Sequence, residues 1–215
     1  MRQTVRQTVR EPVPVGTTAP RTVGVAIAIP EPFAAALQEH RASFGDPLAD
    51  AIPPHITLLP PTLLSPTLLP PTLLSPTLLP PTLLGPAALT GSADVVAHLT
   101  EVAAGAAPFT IHLRGSATFR PVSPVVFVQL VRGIGECELL EQRVRSGPLA
   151  RDLAFPYHPH VTVAHEVPDP ALDEAFATLA DFECRFEVDS LHLYEHGVDG
   201  VWRPETAFTF GGGRR

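Results

Sequence analysis

Along this chain, stretches with apolar residues at every second position alternate with stretches in which they recur every third or fourth position. Thr22 to Ile29 is a β-branched and Ala-rich run stopped by Pro30, which predicts a strand. Glu31 to Ser43 then puts Phe33, Leu37 and His40 on one helical face, and Gly45 to Pro47 close it. Ser92 to Ala104 reads as a second helix through Val95, Val96, Leu99 and Val102. Phe109 to Leu113 and Val125 to Val131 read as strands joined by a turn-rich connector, Gly115 to Ser123. Glu136 to Val144 has helical spacing and ends at Gly147 and Pro148. Pro170 to Leu179 is a fourth helix, with Pro170 and Asp173 suited to its first turn. Arg185 to Leu193 and Ala207 to Phe210 read as the last two strands.

Two strand-like segments are copies of one pattern. Pro53 to Leu58 reads Pro-Pro-His-Ile-Thr-Leu, and His158 to Val163 reads His-Pro-His-Val-Thr-Val. Side chains alternate faces along a strand, so His55 and Thr57 share one face while Ile56 and Leu58 take the other. The same parity joins His160 to Thr162 and sets Val161 and Val163 behind them. Each strand thus offers an apolar face to a core and a His/Thr face to a cleft. In the order of elements, each motif strand follows a helix and precedes a helix and further strands. That repetition predicts two related α+β lobes with the motif at the equivalent place in each, and a pseudo-twofold arrangement would bring both motifs to a shared cleft.

Between the first motif and the second helix lies a tandem repeat. Residues 71–80 copy residues 61–70 letter for letter, and the unit is Pro-Thr-Leu-Leu followed by Ser or Pro. A proline every five residues removes helical donors, which excludes a regular helix and a membrane span. Residues 60–85 are expected to form an extended insertion loop, partly polyproline II, in preference to a β-solenoid. Met1 to Arg21 repeats Arg-Gln-Thr-Val and carries Pro12, Pro14, Gly16 and Pro20, so it reads as a flexible arm without the apolar core of a secretory signal. Residues 22–210 are expected to form the folded domain and 211–215 a flexible tail.

The 215 residues are 45% hydrophobic, ample for a core, and carry a formal net charge of -7 with every basic residue an Arg. An acidic chain is a poor match for tracking long nucleic acid, which rests on many basic contacts to phosphates. A short nucleotide end or a small phosphate ester fits. Two cysteines, Cys137 and Cys184, without close spacing suit a reduced, cytoplasmic compartment and structural roles.

On its paired His-x-Thr-apolar motifs, roughly a hundred positions apart, the chain resembles the two-histidine (2H) phosphoesterase superfamily, in its LigT-like branch of RNA 2′,3′-cyclic phosphodiesterases, also called 2′-5′ RNA ligases. The resemblance covers about Val23 to Phe210. It implies a bilobal α+β fold of antiparallel sheets flanked by helices, with both motifs in a central cleft, no cofactor and no metal. It also implies hydrolysis of 2′,3′-cyclic phosphates on RNA 3′ ends or small cyclic nucleotides to 2′-phosphates, with 2′-5′ joining as the reverse. In that reading His55 and His160 are catalytic, and Thr57 and Thr162 bind the substrate phosphate. The chemistry is sound: cyclic phosphate opening takes one proton from water and returns one to the departing ribose oxygen, and imidazole does either near neutrality. The alternative is a module that holds a nucleotide or phosphate ester in the same cleft without turnover.

Other residues are secondary. Arg120, on the connector between two strands, and Tyr157 are candidate substrate contacts, while Phe119 and Phe155 offer rings that would stack on a base or pack in the core. His158, His160, His165 and Glu166 invite comparison with a zinc site, but their spacing matches no chelating signature. The repeat, with its Leu pairs, is a candidate adhesive segment for a partner protein. A monomer is the default expectation for a bilobal enzyme of this size.

Overall fold

The computed structural model describes residues 21–64 and 92–212. The chain forms β1 (Arg21–Ala28), α1 (Phe33–Ser43), β2 (His55–Leu64), α2 (Ser92–Ala104), β3 (Phe109–Thr118), β4 (Val125–Arg132), α3 (Ile134–Val144), a 3-10 turn (Gly147–Leu149), β5 (His160–His165), α4 (Asp169–Thr178), β6 (Glu183–Val188), β7 (Ser190–His196) and β8 (Trp202–Thr209). Arg21, placed in the arm by its sequence, opens β1. The remaining residues of the arm, the repeat beyond Leu64 and the last three residues of the tail lie outside the described residues. Among the described residues, no helix is long and apolar enough to cross a membrane.

Among the described residues two antiparallel four-stranded sheets carry the fold, in the orders β2-β1-β7-β8 and β5-β4-β3-β6. In both, the motif strand is the edge strand and its inner neighbour is the strand that precedes it across a helix: β1-α1-β2 in one, β4-α3-β5 in the other. This is the repetition expected from the order of elements. The two edges meet, since β2 and β5 contact each other directly. Edge strands also tolerate proline, which has no N–H for a ladder. Pro60 and Pro61 therefore sit within β2, where the register slips against Gly24 of β1, and the first four residues of the repeat, Pro61 to Leu64, are strand, so the loop expected over 60–85 does not begin at Pro60.

Alternation does the sorting. Ile56, Leu58, Val161 and Val163 are essentially fully buried, each contributing about 1.5–3 kcal/mol by leaving water. They join Leu37 of α1, Val95 and Leu99 of α2, Leu140 and Val144 of α3 and Leu172 of α4 in one continuous core. His55, Thr57, His160 and Thr162 on the opposite parity are half-buried.

Three sequence expectations shift. Arg185 to Leu193 is two strands in different sheets, with the chain crossing over at Asp189, whose backbone carbonyl accepts from Phe210 N–H at 2.7 Å. The Gly115 to Ser123 connector is shorter, because β3 continues to Thr118 through a bulge in which Gly115 adopts φ +72°. Here glycine serves a bulge rather than a turn. The final strand starts at Trp202 instead of Ala207: it is a polar, mostly exposed edge that the apolar pattern does not mark.

Candidate active site

Both motif histidines are held in the same way. His55 Nδ1 lies 2.7 Å from the carbonyl oxygen of Pro53, and His160 Nδ1 lies 2.7 Å from that of His158. A carbonyl only accepts, so Nδ1 carries the proton in each ring. The neutral imidazole then leaves Nε2 with a lone pair, and the protonated one leaves an Nε2–H. Each ring is thereby prepared as either a base or an acid through the same atom.

Electrostatics pull both below the ordinary histidine range. Burial is the main cause for His55, opposed by its bond to Pro53 and reinforced by the charge of Arg41. For His160 burial again leads, opposed by the His158 carbonyl and reinforced by the charges of His158 and His55. The two motif rings therefore feel one another across the junction of β2 and β5, and protonating one opposes protonating the other.

The first ring is positioned from α1. Arg41 is buried, its guanidinium paired with Asp46 at 3.1 Å and donating to the carbonyl of Ile52 at 2.6 Å. It ties residues 46–52 to the helix immediately before the Pro53 carbonyl that orients His55. Burying a charge without partners would be costly, which is why Asp46 is buried with it. The spacing of Leu37 and Arg41 on one helix face was the available signal, but a charged residue at a core position argues against itself in a sequence.

The second ring stands in an aromatic frame. Phe119 meets His160 edge-on with centroids 5.0 Å apart, Phe127 lies 5.0 Å from it, and the two phenyl rings are 4.3 Å from each other. Phe127 is directly across the ladder from Thr162, and Gln129 is across from His160. The equivalent neighbours on the other sheet are small: Ala26 faces Thr57 and Ala28 faces His55. A half-enclosed cavity of about 120 Å³ opens there, lined by His55 and Thr57 together with Gly24, Ala26, Tyr194 and Trp202.

The other candidates fall elsewhere. Arg120 is bound to α4, with Nη2 2.7 Å from Asp173 and Nη1 3.8 Å from Asp169. Tyr157 packs against the core, where its buried hydroxyl has no hydrogen-bond partner among the described residues and its pKa is pushed up by burial, then by Cys137 and the acidic residues of α3. Phe155 is exposed. Cys137 and Cys184 are buried free thiols, pushed up to about 12 and about 11, mainly by that burial. Thiols so far above neutrality are not nucleophiles. His158 and His160 stack with centroids 6.1 Å apart rather than converging on a point, and no group of three metal-ligating side chains occurs among the described residues.

Known proteins match this chain in sequence and in fold. The profile of the 2′-5′ RNA ligase superfamily matches residues 29–200. A Bacillus pumilus protein named as a phosphoesterase, with no substrate in its name, is 32% identical over 168 residues, which cover 77% of this chain and 84% of that protein. A Bacillus licheniformis protein of the same naming is 26% identical over 168 residues, covering 77% and 85%. Among solved structures, TT0787 of Thermus thermophilus aligns with a TM-score of 0.54 and 21% identity over 90% of this chain and all of the other. LigT of E. coli in complex with 3′-AMP aligns with a TM-score of 0.52 and 17% identity over 89% of this chain and 99% of that one. The two antiparallel sheets and four helices are thus the LigT-like 2H fold, and the chain belongs to the 2′-5′ RNA ligase superfamily as one of its phosphoesterases.

Proposed function

We propose that the chain is a metal-independent cyclic phosphodiesterase that opens 2′,3′-cyclic phosphates on RNA 3′ ends or nucleotides to 2′-phosphates, with 2′-5′ joining, the reverse of 2′-5′ diester cleavage, when an RNA 5′-hydroxyl takes the place of water. The observation that carries this is the matched pair of imidazoles, each with Nδ1–H fixed on a carbonyl two residues upstream and Nε2 left for substrate.

In the forward direction one neutral Nε2 takes a proton from water as the water oxygen bonds to phosphorus. The P–O3′ bond breaks, and the other imidazole gives its Nε2 proton to O3′. The product is a 2′-phosphomonoester and a free 3′-hydroxyl, and the two rings have exchanged protonation states. Either ring serves in either role, and the reverse reaction swaps them. The Thr57 and Thr162 hydroxyls, on the same face as their histidines, donate to the non-bridging oxygens where negative charge accumulates. Two imidazoles and two hydroxyls supply both proton transfers and the charge stabilisation. LigT of E. coli was crystallised with 3′-AMP, with ATP and with phosphate, and small phosphate esters of that kind are in keeping with this cleft. Phosphorus NMR of cytidine 2′,3′-cyclic phosphate incubated with the protein tests the chemistry: the proposal requires the 2′-phosphate as product, and accumulation of the 3′-phosphate overturns the assigned bond cleavage.

A further inference from the structure

We propose that the cavity beside His55 and Thr57 is a base subsite sized for a single six-membered ring, so that the substrate is the cyclic phosphate of a pyrimidine nucleoside. This rests on the phosphodiesterase reading above and gives it a substrate class. The two sides of the site differ. Next to His160 and Thr162 the sheet carries Gln129 and Phe127, with Phe119 against it, so that side bears large side chains. Next to His55 and Thr57 it carries Ala28 and Ala26, and one step further along β1 comes Gly24. The ladder continues to β7, where His192 faces Ala26 and Tyr194 faces Gly24. A trough floored by small residues therefore runs between the Thr57 side of β2 and the aromatic side of β7.

Trp202 closes its end. A Cβ on Gly24 would lie 3.2 Å from the Trp202 ring, so the glycine is what lets the indole settle onto β1. A flat floor with aromatic walls and a few polar groups is a site for a planar ring. The volume sets which ring. At about 120 Å³ the cavity is somewhat smaller than the roughly 150 Å³ apolar cavity that holds one benzene. That volume is of the order of a single six-membered ring, so a pyrimidine is the match to it, whereas the second ring of a purine would project through the open side. Direct lining by His55 and Thr57 places the occupant next to the phosphate those residues would hold. No Arg, Asp or Glu lines the cavity among the described residues, which suits a neutral base rather than a further phosphate.

The test uses Trp202, the only tryptophan in the chain, as its own reporter. The native protein is titrated with 2′-CMP, 2′-AMP and ribose 2-phosphate while tryptophan emission is followed, and affinities are checked by calorimetry. Expected are a change in emission with 2′-CMP, binding about tenfold or more tighter than 2′-AMP, and a loss of about 5- to 150-fold in affinity for ribose 2-phosphate, which lacks the stacking base. Trp202→Ala enlarges the cavity and should bring the ratio of 2′-CMP to 2′-AMP affinity towards one in calorimetry. Equal affinity of the native protein for the two nucleotides, or emission unmoved by 2′-CMP, overturns the subsite. Turnover of all four cyclic nucleotides at equal kcat/KM would overturn it while leaving the phosphodiesterase reading intact. Selective binding of 2′-CMP with no turnover of any cyclic phosphate would support the subsite and sink the activity.

Discussion

The pH dependence of kcat/KM follows from the two ring environments. Both motif imidazoles are depressed below the usual 6.5, by burial in each case and further by Arg41 at His55 and by His158 and His55 at His160. In the proposed mechanism turnover requires one ring neutral and one protonated, so the rate should follow a bell between the two apparent pKa values of the pair. Their mutual repulsion separates those values, and the burial of both keeps the upper one below about 6.5 in the free enzyme. Above it the singly protonated form falls about tenfold per pH unit, so kcat/KM should drop about 100-fold between pH 7 and 9. A bound phosphate anion opposes this by favouring the charged imidazole, so the basic limb of kcat should lie at higher pH than that of kcat/KM. Initial rates with a 2′,3′-cyclic nucleotide from pH 4 to 9 at constant ionic strength measure both profiles. A kcat/KM that is level from pH 7 to 9, or a basic limb above pH 7.5, would refute the assignment of two depressed imidazoles to the reaction.

Other consequences are as direct. Under the proposed mechanism Thr57→Val and Thr162→Val would each remove a hydrogen bond of about 1.5–3 kcal/mol to a charged oxygen, so kcat/KM should fall about 10- to 150-fold with circular dichroism and Tm nearly unchanged. Arg120→Ala, which breaks a largely exposed pair with Asp173, should alter stability by less than about 1 kcal/mol and kcat/KM by less than about tenfold; a larger kinetic loss would show that Arg120 leaves Asp173 to meet the substrate. Ile56→Ala, behind the first motif at full burial, should cost about 2–5 kcal/mol in urea unfolding. Because the unfolded chain takes up protons on His55 and His160 at higher pH than the folded one, stability should rise with pH in the window just below 6.5, and the double variant His55→Ala/His160→Ala should show a shallower rise.

The motif strands were legible because their alternation is complete: apolar followers at Ile56, Leu58, Val161 and Val163 all reached the core. The division of Arg185 to Leu193 left one trace, a change of parity between Phe186 and Val188 on one side and Leu191 and Leu193 on the other, falling where the chain passes Asp189 to the second sheet. The start of β8 was hidden, since an exposed edge strand needs no apolar period. Within the site, the His and Thr pairs come from local patterns, whereas Arg41 and the Phe119–Phe127 frame act through pairings distant in sequence. A buried arginine runs against the composition rules, and only Asp46 and the Ile52 carbonyl explain it. Tyr157, next to the second motif in sequence, turns its hydroxyl into the core beneath α3. Nearness along the chain was a poor guide there.

The central claim is that two imidazoles, without a metal, open a cyclic phosphate. The most direct measurement is turnover of a short RNA ending in a 2′,3′-cyclic phosphate, in EDTA, by the native chain, by His55→Ala and by His160→Ala. The account predicts conversion to a 2′-phosphate end by the native chain and a loss of about 10²- to 10⁴-fold in each variant. Loss of native turnover in EDTA, or full turnover by either variant, would contradict it.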